Sequence, residues 1–300
     1  MRRKLTAAIS ILMLMLFAAG CSPENTRNET MQADATDASA LQNTTDALDV
    51  SSPENETVRD FALDQVLETD NLEDIHFNIS VPEDYDRTHS YALHIALPGW
   101  EGLYFQGVGE DLRWEYVPHE STKYIEDMIV ASLQLNSWDE KSASQAVRLT
   151  KHLMEKYSID KERIYITGYS AGGETLSRVL ELNPELYRAA LFMSSKWDGD
   201  PAPLIAAKTR LYLFTSEHDS YYGAEPARQA WQSIHDLYEV SGMTEDEILE
   251  LLVLDIREDA WFDKLMKVDA GRTESQYATD YHGAGMLAAF DEEVMRWVFR

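Results

Sequence analysis

Arg163-Ile-Tyr-Ile-Thr-Gly168-Tyr169-Ser170-Ala171-Gly172-Gly173 is the stretch from which the fold is read. Arg163–Thr167, rich in β-branched and aromatic residues, reads as a strand, and it passes without a linker into glycine, serine and two further glycines. A sharp strand-to-helix turn lifts a serine oxygen out of a sheet. Glycines at its flanks let neighbouring backbone approach where a Cβ would clash. The N-terminus of the following helix favours developing negative charge. Ser170 therefore reads as a nucleophile, against the plainer reading of a turn serine that caps a helix.

Working outward, short strand-like runs occur at Phe77–Val81, Tyr91–Leu97, Met128–Leu133, Ala189–Met193, Arg210–Phe214 and Leu251–Ile256. Segments of helical period lie between them. Ser142–Tyr157 opens on a capping-box pattern, Ser142-x-x-Gln145. Glu225–Tyr238 carries Pro226 in its first turn, and Met286–Phe299 places Phe290, Val294 and Trp297 on one stripe. Strand–helix alternation at these lengths predicts an α/β fold, a mostly parallel central sheet with helices on both faces, over residues 61–300.

A serine hydroxyl needs a base to become a nucleophile at neutral pH. Of the eight histidines, His282 in Asp280-Tyr281-His282-Gly283 follows the last strand and precedes the C-terminal helix, where a loop can deliver it to the sheet edge. His218 is the weaker alternative. The third member must be a carboxylate that holds the imidazole tautomer. Asp219 ends the run Leu211-Tyr-Leu-Phe-Thr-Ser-Glu-His-Asp219, which places it at the carboxyl edge of a strand. Glu217 is the runner-up and Asp280 a distant third. A developing oxyanion calls for two backbone donors. Ala171 N–H follows the nucleophile directly, and Trp100 N–H follows the strand-breaking Pro98-Gly99.

The order Ser170, Asp219, His282 matches that of the α/β-hydrolase triad, and with the elbow and the Pro98-Gly99-Trp100 turn the chain resembles that superfamily over about residues 75–300. Tyr91-Ala-Leu-His-Ile-Ala-Leu-Pro-Gly99, Ile129-Val-Ala-Ser-Leu-Gln134 and Pro184-Glu-Leu-Tyr-Arg-Ala-Ala190 look like the predicted-peptidase, feruloyl-esterase and polyhydroxybutyrate-depolymerase-like group. Pro-Gly-Trp stands where many esterases have His-Gly-x. The resemblance implies the α/β-hydrolase fold and acyl-enzyme chemistry with no cofactor. Trp138 and Tyr169, with Trp100 and the weaker Trp114, could line a substrate pocket or be ordinary core. Residues 257–281 form a long connection, either a lid or a surface helix packed on the sheet.

The remaining sequence bears on compartment and partners. Arg2, Arg3 and Lys4 precede an apolar stretch to Gly20, read as an export signal over residues 1–20. Small residues before the lone Cys21 resemble the lipobox of bacterial lipoproteins, which implies lipidation there and an extracytoplasmic, membrane-anchored protein. From Ser22 to about Val58 the chain is polar and poor in large apolar residues, a tether over 21–60 that as a coil spans about 30–36 Å. The net charge of −27 opposes nucleic-acid binding, and one cysteine permits neither an internal disulfide nor a zinc cluster of the usual Cys/His spacing. Three function classes follow: a serine esterase acting on small or polymer-linked carboxylic esters, a serine peptidase of prolyl-oligopeptidase-like type, and a non-catalytic binding lipoprotein. An intact triad order favours catalysis.

Overall fold

The computed structural model describes residues 60–270 and 281–300. The signal-like stretch 1–20, Cys21, the tether up to residue 59, and Asp280 lie outside them. The strands are β1 Ala62–Leu67, β2 Ile75–Ser80, β3 Tyr91–Leu97, β4 Met128–Gln134, β5 Ile159–Tyr169, β6 Ala189–Met193, β7 Arg210–Ser216 and β8 Leu252–Arg257. They form one sheet in the order β1-β2-β4-β3-β5-β6-β7-β8. Pairing is parallel from β4 to β8 across the sheet, while β2 runs antiparallel to both β1 and β4. This is the mostly parallel sheet that the strand–helix alternation predicts, in the arrangement that the α/β-hydrolase resemblance implies.

The sheet is buried on both faces, and the side chains divide between them with period two. Leu93, Ile95, Ile164, Ile166, Phe192, Leu211 and Leu213 join one apolar cluster. Tyr165, Leu191, Met193, Tyr212 and Phe214 join the other. The helices are α1 Glu110–Trp114, α2 Val117–Glu120, α3 Glu140–Lys156, α4 Ala171–Leu182, α5 Ala202–Ala207, α6 Glu225–Val240, α7 Glu245–Leu251, α8 Asp259–Ala270 and α9 Glu292–Val298. Ala146 and Leu149 of α3, Val179 of α4 and Ile234 of α6 pack on the first face. Val117 of α2, Phe262 of α8 and Val294 and Met295 of α9 pack on the second.

Two local expectations are corrected. The cap of α3 is Asp139, whose side chain accepts from Lys141 N and Ser142 N. Ser142 instead donates its hydroxyl to Ser137 O at 2.6 Å, and Gln145 donates to Glu73 O, so neither makes the expected capping box. The C-terminal helix does not span Met286–Phe299. A 3-10 run covers Gly283–Phe290, and Asp291 then caps a new helix by accepting from Glu293 N and Val294 N. β1 and α7, absent from the sequence reading, complete the sheet edge and the approach to β8. For the long connection after β8, Phe262 is fully buried in the second apolar cluster, so α8 is a helix packed on the sheet.

Candidate active site

β5 ends at Tyr169 and α4 begins at Ala171, leaving Ser170 alone at the turn with φ 52° and ψ −119°. A positive φ at a non-glycine residue is strained and persists only where the surroundings impose it. Ser170 N–H donates to Met193 O at 3.0 Å, and Ser195 Oγ donates to Ser170 O at 2.6 Å. Two glycines make the turn possible. A Cβ at Gly168 would lie 2.4 Å from Gly172 O, and one at Gly172 would lie 2.1 Å from Leu97 O. The second contact seats the first turn of α4 against the end of β3. The Ser170 side chain makes no cap hydrogen bond to α4, which removes the capping role as an explanation for a serine here.

Its hydroxyl faces His282 instead, with Oγ 2.8 Å from Nε2. On the other side of the ring, Nδ1 lies 3.0 and 3.1 Å from the two carboxylate oxygens of Asp219. Asp219 is buried, and Tyr221 N–H and Tyr222 N–H donate to its Oδ1 at 2.9 and 2.8 Å. Burial raises a carboxyl pKa, but here the His282 hydrogen bond, the His282 charge and those two backbone donors more than offset it, so Asp219 is held below the ordinary range and stays ionised. An ionised Asp219 selects the tautomer with a proton on Nδ1 and leaves Nε2 free to accept from Ser170.

The alternatives fall elsewhere. Glu217 is exposed and paired with Arg228. His218 is exposed and paired with Asp259 at 2.9 Å. His94 is fully buried between Ser121 and Thr167, and burial pushes its pKa down to about 3, so it is a neutral core residue. His119 reaches Leu112 O, His76 and His89 pair with Asp64 and Asp127, and His235 pairs with Glu245.

Trp100 and Ala171 are each the first residue of a helical turn, Trp100–Gly102 and α4 respectively, so neither N–H has an acceptor within its own turn. The Gly172–Leu97 contact brings these two helix starts together. Tyr169 is buried with its ring 5.3 Å from that of His282, and a Cβ at Gly99 would meet that same Tyr169 ring. It is therefore a wall of the site. Trp138 lies at the same carboxyl edge, in the loop after β4, 41% exposed, and among the described residues it makes no ring contact with the triad. Trp114, at the end of α1, is half-buried.

Sequence reasoning passed over several neighbours. Tyr221 and Tyr222 set their rings 5.3 and 5.5 Å from His282. Their position two and three residues after Asp219 was the available signal. Tyr222 hydroxyl hydrogen-bonds Glu174, a buried carboxyl on the nucleophile helix whose pKa burial raises, and Lys196 approaches the same carboxylate at 3.5 Å. Two surface hollows, beside Trp297 and beside His218, contain no member of the triad.

The fold is that of the α/β-hydrolases, and within it Ser170, His282 and Asp219 form a hydrogen-bonded Ser-His-Asp chain. A profile of the prolyl oligopeptidase family matches residues 134–234, from the end of β4 into α6. Among solved structures the chain is similar to a thermostable esterase, at 19% identity and a TM-score of 0.63 over 81% of this chain and 63% of that one. The protein thus spans less than two thirds of that esterase. Looser similarity extends to oligopeptidase B from Leishmania major, with 12% identity, TM-score 0.48, 81% of this chain and 38% of that one. An acetyl xylan esterase from Aspergillus awamori aligns at 14% identity and TM-score 0.46 over 59% of this chain and 80% of that one. No curated protein sequence matches the chain.

Proposed function

We propose that this protein hydrolyses carboxylic esters through an acyl-enzyme on Ser170. The observation that carries the reading is the unbroken chain from Asp219 through His282 to Ser170, with contacts of 3.0 and 2.8 Å. As Ser170 Oγ attacks the ester carbonyl carbon, His282 Nε2 takes the hydroxyl proton, and Asp219 offsets the charge that arrives on the ring. The N–H groups of Trp100 and Ala171 receive the developing oxyanion. Collapse of the tetrahedral intermediate breaks the bond to the alcohol oxygen, which leaves with the proton held by His282. Water then attacks the acyl-enzyme with His282 again as base, releasing the acid and restoring Ser170. No metal or cofactor takes part in these steps.

The substrates in this reading are small or polymer-linked esters. The match of residues 134–234 to the prolyl oligopeptidase family favours a second reading, amide cleavage by the same triad. A panel of acyl esters of graded length, hydroxycinnamate esters and prolyl amides separates the two. Ester turnover is expected to dominate, and a preference for the prolyl amides would replace the esterase reading with the peptidase one.

The proposal extends to location. The basic residues before the apolar stretch ending at Gly20, the lone Cys21 and the polar segment after it support a lipid-anchored, extracytoplasmic domain joined to its anchor by that polar segment. Cys21→Ser is expected to remove the protein from the detergent phase without changing its specific activity. A wild-type protein that never partitions into detergent would refute lipidation.

A further inference from the structure

We infer that Glu115 is a positioning residue that aims the Trp100 N–H and so sets the geometry of the oxyanion hole, an inference that rests on the ester-hydrolase reading above. Glu115 follows α1 directly and is 3% exposed. Its Oε1 accepts the Gly99 N–H at 2.8 Å. The peptide unit that follows, which carries the Trp100 N–H, has its carbonyl taken by Gly102 N–H at 3.1 Å. Gly99 is thus held at its N–H by Glu115 and at its C=O by the 3-10 turn. The two bonds fix the planes of successive peptides, and the direction of the Trp100 N–H follows from them.

Gln134 Nε2 donates to Gly102 O at 3.3 Å at the far end of this turn, and packing confines the rest of the loop. A Cβ at Gly102 would lie 2.8 Å from Asp111 Cα and 2.9 Å from Pro98 Cβ, so the loop lies directly on α1. A Cβ at Gly99 would lie 2.7 Å from the Tyr169 ring. The loop is wedged between α1 and the wall of the site, and Glu115 is the side chain that bonds its backbone at the residue before the donor.

The charge state suits the role. Burial, reduced somewhat by the Gly99 hydrogen bond and reinforced by Asp111 and Glu101 facing it, raises the Glu115 pKa well above the usual carboxylate range. Asp111 is itself raised to about 7 by burial. A protonated Glu115 can accept the Gly99 N–H without placing a full negative charge close to the position where the oxyanion forms. An ionised carboxylate there would oppose the charge that the hole exists to stabilise.

The test uses the full chain with p-nitrophenyl acetate. Glu115→Met keeps most of the volume and removes the acceptor. It is expected to lower kcat by about 10- to 100-fold, as misplacing one donor does, with KM within about 2-fold. Glu115→Gln keeps a neutral acceptor and is expected to stay within about 3-fold of wild type in kcat. A folded Glu115→Met with wild-type kcat would overturn the inference, as would a Gln variant that loses as much as Met. Should Met not fold, Glu115→Asp withdraws the carboxyl by one methylene and is expected to show the same kcat-only loss, wild-type kcat again overturning it. Ser170→Ala in the same assay separates the two levels. If it retains turnover, the site assignment fails. If it is inactive while the Glu115 variants turn over normally, only the positioning role fails.

Discussion

Ser170→Ala is expected to lose about four to six orders of magnitude in ester turnover, the range seen when a triad nucleophile is removed, and to lose covalent labelling by a fluorophosphonate. The size of the effect follows from the geometry. Oγ is 2.8 Å from His282 Nε2 at a backbone position forced to positive φ. Ser195, two residues past the end of β6, has its hydroxyl committed to Ser170 O at 2.6 Å. It supports the turn from behind and does not substitute for the nucleophile. An alanine at position 170 leaves that bond to the backbone in place, so the variant is expected to fold and to melt near the wild-type temperature. Retention of most turnover would reject the nucleophile assignment.

Asp219→Asn is the second large effect, about 10⁴ in kcat, because an amide that donates to Nδ1 stabilises the wrong imidazole tautomer while leaving the site's shape intact. The Tyr221 and Tyr222 N–H donors still find an acceptor in the amide oxygen if the side chain keeps its orientation, in which case its NH₂ group is what faces His282. Glu217→Gln, two residues upstream, breaks only an exposed pair with Arg228 and is expected to stay within about 3-fold of wild type. Steady-state kinetics on the two variants side by side decides the matter. Loss at Glu217 with activity kept at Asp219 would move the acid and refute the hydrogen-bond chain as the catalytic one.

The elbow was legible because its cause is local. A strand that turns within one residue into a helix excludes any Cβ at Gly168 and Gly172, and this restriction is written into the residue types themselves. The strands of the central sheet were legible for a similar reason: burial on both faces demands unbroken apolar runs. β1 was not, since Ala62–Leu67 is half-exposed at the sheet edge and is held chiefly by pairing with β2. The C-terminal segment misled in the opposite sense. Its apolar residues have helical spacing, yet after His282 the chain packs so tightly against β6 that a Cβ at Gly285 would lie 2.1 Å from Ser194 Oγ. It takes a 3-10 path there and starts an α-helix only at the Asp291 cap.

Chain order and residue type by themselves determined the fold class, the nucleophile turn, and the choice of His282 and Asp219 as the groups to look for, because sterics and hydrophobic periodicity act over a few residues and leave marks on the sequence. Only the tertiary structure decided that these groups meet. Ser170 and His282 are 112 positions apart, and Asp219 and His282 are 63 apart, so their contact depends on eight strands closing in one order. The same holds for Glu115 beneath Gly99, a buried acid whose sequence neighbours carry no sign of its partner. A side chain's burial and charge state are set by whatever the fold brings against it, and no local pattern encodes that.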